Sequence, residues 1–162
     1  MKARTNSAAE TQALAAAIAP ILRPGDLLIL SGDLGGGKTA FVQGLAAAMG
    51  IEEAVTSPTF VLAQTFEGTL RLHHLDVYRL DSPAELADLA VEELLADDAV
   101  TAIEWGERFL DQLRADYLRI SFGLGGLELP PDVRIIEIEP AGKSWETRAR
   151  GLEDALQWWT RR

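Results

Sequence analysis

Continuous apolar stretches and interrupted ones alternate along this chain. Asp26-Leu27-Leu28-Ile29-Leu30 and Ala99-Val100-Thr101-Ala102-Ile103-Glu104 are nearly unbroken apolar runs, the pattern of strands buried on both faces. Residues 60–66 and 70–76 are two strand-like runs parted by Glu67-Gly68-Thr69, a hairpin signal, and the second of them alternates polar with apolar. Residues 117–124 and 133–139 read as a late antiparallel pair. Helical pattern covers residues 7–19, stopped by Pro20 and Pro24-Gly25, and residues 40–49, closed by Gly50. Ser82-Pro83-Ala84-Glu85 opens another helix, with Ser82 as cap and Pro83 in its first turn, running in broken form to about Ala96. A final helix is expected over residues 144–159. Strand and helix alternate early, while hairpins dominate later, which predicts a three-layer α/β domain on a mixed parallel/antiparallel central sheet. No repeat, linker or boundary divides residues 1–162, so a single domain is expected.

Composition narrows the class. With 48% hydrophobic and 25% charged residues the chain reads as globular, and no apolar run approaches the ~20 residues of a membrane span. Met1 to Gln12 is polar and lacks the apolar segment of a secretory signal. Cysteine is absent, which excludes disulfides and thiolate chemistry, and a cytoplasmic location is expected. The net charge of −10 opposes direct contact with a phosphodiester backbone. The basic cluster Arg148, Arg150, Arg161 and Arg162 reads as a solvated helix face.

The candidate chemistry lies between the first buried strand and the helix after it. Gly32-Asp33-Leu34-Gly35-Gly36-Gly37-Lys38-Thr39 is a complete G-x-x-x-x-G-K-[ST] phosphate-binding loop. Glycines let successive backbone N–H groups turn toward phosphate oxygens, and the helix dipole adds to their pull. Lys38 is expected to reach the β- and γ-phosphates, and the Thr39 hydroxyl a magnesium ion. Such a site needs a carboxylate at the end of a neighbouring strand, and Glu104 and Asp76 both fit. A shared role is expected, with Glu104 toward the metal and Asp76 near the γ-phosphate or the attacking water. Which carboxylate touches the metal stays open at this point. Val55-Thr56-Ser57-Pro58-Thr59-Phe60 is either a segment that orders on the γ-phosphate or an ordinary Ser-Pro turn. Neighbouring His73 and His74 point to opposite faces of a strand, so they cannot jointly chelate a metal, and structural roles are expected. Trp158 and Trp159 are expected to pack the last helix onto the sheet, and Trp105 to lie close to the nucleotide. Asn6 is the single asparagine, which excludes guanine reading by an Asn-Lys-x-Asp element and leaves ATP as the expected nucleotide.

Residues Ser31 to Thr39, then Thr56-Ser57-Pro58-Thr59-Phe60, then His74-Leu75-Asp76-Val77-Tyr78-Arg79-Leu80, then Ile103-Glu104-Trp105 resemble, in order and spacing, the bacterial TsaE (YjeE) family, whose members support synthesis of threonylcarbamoyladenosine in tRNA. The resemblance spans roughly residues 7–108, and the last third matches only loosely. It implies a P-loop NTPase-like fold and a Mg-dependent ATP hydrolase, slow alone and stimulated by partners. Those partners would be the two larger TsaB- and TsaD-type subunits, with tRNA reached only through them and no membrane involved. Carried over by position, it implies that Gly32, Gly35, Gly36, Gly37, Lys38, Thr39 and Ala40 hold the phosphates and that Thr39 and Glu104 bind magnesium. Ser57 and Thr59 would lie on the switch segment, Asp76 would be catalytic or position water, Trp105 would support hydrolysis, and Thr11 would lie near the nucleotide. Gly36 and Ala40 depart from the family's common alanine and second threonine, which leaves Thr39 as the sole hydroxyl at the helix start. A small-molecule kinase and a non-hydrolysing, nucleotide-gated adaptor are the competing readings.

Overall fold

The computed structural model describes residues 1–58, 62–126 and 129–161. The described strands are β1 (Lys2–Thr5), β2 (Leu27–Gly32), β3 (Ala63–Phe66), β4 (Arg71–Asp76), β5 (Ala99–Glu104), β6 (Tyr117–Leu124) and β7 (Arg134–Ala141). The helices are α1 (Ala8–Ile18), α2 (Lys38–Ala48), α3 (Pro83–Asp88), α4 (Val91–Ala96), α5 (Lys143–Glu146) and α6 (Ala149–Thr160). One seven-stranded sheet runs β1-β7-β6-β2-β5-β4-β3. Its centre, β6-β2-β5-β4, is parallel, and the β1/β7, β6/β7 and β3/β4 pairs are antiparallel. This is the mixed three-layer architecture that the hydrophobic pattern predicts.

Burial explains the unbroken apolar runs. Leu28 and Leu30 of β2 pack under Leu14, Phe41, Leu45, Leu152 and Leu156 from α1, α2 and α6. Leu27 and Ile29 face the other way, onto Leu86, Val91, Leu95 and Phe109. A strand covered on both faces has no solvent side to carry polar residues. β4 obeys the same rule: Leu72 to Asp76 are all buried, so the alternation expected there does not correspond to an exposed face. His73 and His74 are the polar members of a fully covered strand.

Local signals place the helix starts. Ser7 accepts from the Glu10 N–H at 3.1 Å and Ser82 from the Glu85 N–H at 3.3 Å, each capping the first turn of its helix. α1 and α2 cross at Gly44, where any side chain would collide with the Gln12 carbonyl, and that close approach seats Thr11 beside the glycine loop.

Several elements differ from expectation. β1 lies within the polar N-terminus; its inward residues are only Ala3 and Thr5, too small and short a pattern to stand out. The run expected over residues 60–66 begins as a strand at Ala63, and Phe60 and Val61 lie outside the described residues, as does Thr59. The helix after Ser82 is two pieces, broken at Ala90, whose φ of 52° is left-handed. An unanticipated 3-10 turn, Gly106–Gln112, follows β5.

The clearest correction concerns Arg148. It is not on a solvated face: it is 7% exposed and binds Asp26 through both carboxylate oxygens, at 2.6 and 2.7 Å, over the Trp145 ring. The expected last helix is two, α5 and α6, and Arg148 stands at the break as the residue before α6. Arg162 of the same cluster lies outside the described residues. Trp159 packs against the core as expected, whereas Trp158 is 51% exposed. No described helix is long and apolar enough to cross a membrane.

Candidate functional site

The glycine loop joins β2 to α2 at the carboxyl end of the parallel strands. Gly32 takes φ 124°, and a Cβ there would fall on the Phe122 carbonyl of β6, so the turn needs glycine on both counts. Gly37, at φ 110°, leads directly into α2, and the Gly36 N–H closes the loop on the Asp33 carbonyl at 3.0 Å. Lys38 is curled inside this turn. Its Nζ donates to the Gly32 and Asp33 carbonyls at 2.6 and 2.9 Å and sits 4.2 Å from the Trp105 ring centroid. Burial pushes its ammonium below the usual lysine range, and the carboxylates of Glu104, Glu107, Asp76 and Asp33 pull it back. Burial likewise raises the Glu107 carboxyl, whose Oε2 has no partner among the described residues.

The register of the parallel strands brings the two carboxylates together. Asp76 and Glu104 are direct neighbours at the ends of β4 and β5, and both are nearly covered. Thr39, on the first turn of α2, donates to Glu104 Oε1 at 3.2 Å. The same oxygen lies 2.9 Å from His74 Nε2, which donates, since a carboxylate oxygen only accepts. Asp76 is held differently: its Oδ1 accepts the Tyr78 N–H at 2.9 Å and its Oδ2 the Ser57 hydroxyl at 3.4 Å. After Glu104 the chain turns sharply through Trp105, at φ 66°, whose ring then meets Tyr78 with centroids 4.9 Å apart.

These groups share one cleft of about 600 Å³, lined by Thr11, Gly35, Gly36, Gly37, Lys38, Thr39, Ala40, Ser57, Asp76, Glu104 and Trp105. Gly32 shapes the loop without lining the cleft, and Thr59 lies outside the described residues. Thr11 contributes a wall rather than a polar contact. Its hydroxyl is bound to Thr5 Oγ1 at 2.8 Å and to the Ser7 carbonyl at 3.2 Å, while its methyl lies toward Gly37. Among the described residues no cluster of three or more His, Cys, Asp or Glu could cage a metal. The Thr39 hydroxyl beside the Glu104 carboxylate is instead a partial set of hard oxygen donors, the kind that suits a magnesium ion shared with phosphate oxygens.

Two residues here escape sequence reasoning. His74 orients Glu104, whereas His73 turns to Thr65 and Asp97, so the two neighbours serve separate partners. The place of His74 two residues before Asp76 is visible in the sequence; its reach across to β5 is not. Arg134, the first residue of β7, donates to the Gly35 carbonyl at 3.1 Å from about a hundred residues away in sequence.

A glycine loop between a central parallel strand and a helix, flanked by strand-end carboxylates on a mixed sheet, defines a P-loop NTPase-like α/β protein. The crystal structure of Bacillus subtilis YdiB has this fold, matching at a TM-score of 0.79 and 32% identity over 95% of this chain and 94% of that one. The family model for Threonylcarbamoyl adenosine biosynthesis protein TsaE matches residues 5–125. The tRNA threonylcarbamoyladenosine biosynthesis protein TsaE of Treponema pallidum is 41% identical over 113 residues, 70% of this chain and 84% of that protein. Its namesake in Bacillus subtilis is 37% identical over 147 residues, 90% of this chain and 89% of that protein. This chain belongs to the TsaE family of tRNA threonylcarbamoyladenosine biosynthesis proteins.

Proposed function

We propose that this protein is an ATP hydrolase serving the assembly that forms threonylcarbamoyladenosine in tRNA. One observation carries the reading: a loop able to cradle phosphates ends at a hydroxyl and a carboxylate 3.2 Å apart. On this reading the backbone of Gly35 to Thr39 holds the phosphates. Lys38 exchanges its two loop carbonyls for phosphate oxygens, a swap between acceptors that needs no change of protonation. Thr39 and Glu104 would hold magnesium, which when bound would supply charge neutralisation for the phosphates. Asp76, tied to Ser57, positions the attacking water, so ordering of the segment around Ser57 is coupled to the carboxylate that aims the nucleophile. Trp105 covers Lys38 and excludes solvent from it.

Charge supports a dependence on partners. Arg79 lines the carboxylate side of the cleft, whereas Arg108 does not line it and donates to the Tyr78 carbonyl at 2.8 Å. Partners of the TsaB and TsaD type supply what the isolated site lacks and hold the tRNA, which a chain of net charge −10 repels. The setting is cytoplasmic. No described residue between 81 and 96 lines the cleft, which supports hydrolysis over transfer to a small-molecule acceptor. The deciding measurement is phosphate release from ATP with no added acceptor, with and without the partner subunits. Release that rises with the partners supports the reading; release strictly dependent on a small-molecule acceptor overturns it.

His74 is a positioning residue in this scheme. Replacing it with leucine frees Glu104 and is expected to raise the magnesium concentration needed for half-maximal hydrolysis roughly 10- to 100-fold. Metal-free ADP binding should stay at the parental level. His74→Gln, which keeps an N–H donor, should recover most of the loss. An unchanged magnesium requirement in a folded His74→Leu protein would assign His74 to packing alone.

A further inference from the structure

Residues 51–58 carry the chain away from the end of α2 and into the cleft without forming helix or strand. Among the described residues the backbone of 52–56 makes no hydrogen bond to other backbone groups. Val55 holds this stretch in place: its side chain is buried in the core, and its carbonyl accepts from Gln43 Nε2 at 2.9 Å. Gln43 stands one turn after Thr39, on the same face of α2. Its amide can be oriented, because a carbonyl only accepts: Nε2 faces Val55, and Oε1 accepts from Gln12 Nε2 at 3.1 Å. Gln12 lies on α1 at the point where that helix meets Gly44. Two residues beyond Val55, Ser57 lines the cleft and donates to Asp76 Oδ2 at 3.4 Å.

Resting on the hydrolysis reading above, we propose that Gln43 is a positioning residue: by anchoring the Val55 carbonyl to α2 it sets where the Ser57 hydroxyl meets Asp76. Chain length makes the anchor effective. Two residues span at most roughly 7 Å, so a fixed Val55 confines Ser57 to the neighbourhood of the carboxylate. Without the anchor, a stretch lacking backbone hydrogen bonds regains conformational freedom that must be lost again each time Asp76 is to be aimed. One helix thereby serves both carboxylates. Thr39 in its first turn reaches Glu104, and Gln43 a turn later holds the segment that reaches Asp76. Gln43 does not itself line the cleft, so its effect passes through Ser57. The buried Val55 side chain keeps part of the restraint, which limits the effect to that of about one hydrogen bond.

The test is a cycle of variants read by phosphate release at saturating ATP and magnesium with the partner subunits, alongside metal-free ADP calorimetry and thermal unfolding. Gln43→Met, of similar length but with no N–H, should lower kcat roughly 3- to 10-fold and leave ADP affinity at the parental level. Gln43→Glu, which sets a carboxylate against the Val55 carbonyl, should lose at least as much and gives a second reading should the methionine variant fold poorly. Gln43→Lys, which keeps a donor, should retain most of the parental kcat. In a Ser57→Ala background, itself slowed, Gln43→Met should have almost no further effect, because the route it acts through is already gone. Parental kcat in a folded Gln43→Met protein would overturn the proposal. So would parental turnover by Ser57→Ala, an undiminished loss in that background, or an equal loss of ADP affinity, which would make Gln43 a packing residue of α2. A parent protein that releases no phosphate even with its partners would instead bring down the hydrolysis reading itself.

Discussion

Glu104→Ala is expected to hydrolyse ATP at least about 100-fold more slowly than the parent in the presence of the partner subunits, and Lys38→Ala to fall as far. The reason is electrostatic. Charge that builds on the phosphate oxygens in the transition state has few compensating groups in this covered cleft: Lys38→Ala removes one of them, and Glu104→Ala removes the carboxylate that would hold the magnesium supplying another. The two losses should separate on binding. Lys38→Ala should also weaken nucleotide binding without metal, because an ammonium meets phosphate directly. Glu104→Ala should not, because its carboxylate acts through Thr39 and the metal position and otherwise repels the anion. Steady-state phosphate release and metal-free calorimetry read the two effects apart. Full turnover by a folded Glu104→Ala protein would remove Glu104 from the metal site.

The second large effect is on stability and lies away from the cleft. Arg148→Ala should cost about 3–5 kcal/mol, because it strands the nearly covered Asp26 carboxylate without its cation. For a domain of this size that corresponds to a melting temperature lower by about 6–20 °C. The guanidinium also donates to the Ile21 and Ser144 carbonyls at 3.2 and 3.1 Å, so the turn from Ile21 to Asp26 and the segment around Ser144 loosen together. Removing both partners, Asp26→Ala with Arg148→Ala, should cost clearly less than the two single losses added, since no buried charge is then orphaned. Thermal unfolding of the two single variants and the double variant closes the cycle. Additive losses would mean that the pair is energetically independent despite its bidentate geometry.

The family resemblance and the architecture are legible in the order of amino acids because they rest on short-range patterns. Gly32 to Thr39 is contiguous, the apolar runs of β2 and β5 carry their burial in their composition, and Ser7 and Ser82 mark helix starts through bonds three residues away. Asp76 and Glu104 stand out because strand ends at one side of a parallel sheet converge. What stays hidden depends on partners far off in the chain. β1 is a strand because β7 pairs with it, its own four residues carrying little strand preference. Arg148 reads as a surface charge until Asp26, 122 residues away, is placed against it. His74 and Arg134 are polar side chains whose tasks exist only once β5 and the glycine loop stand beside them.

The chain alone therefore determined the class of fold, the phosphate-type loop and the pair of acidic candidates, since each is written in neighbouring residues or in strand periodicity. Only the tertiary structure decided which histidine supports Glu104, which arginine is buried and which borders the loop, and that Thr11 offers a methyl rather than a hydroxyl. Local sequence encodes backbone conformation and which face is apolar. A side chain's hydrogen-bond partner is set by packing between distant segments, which no short window of sequence contains.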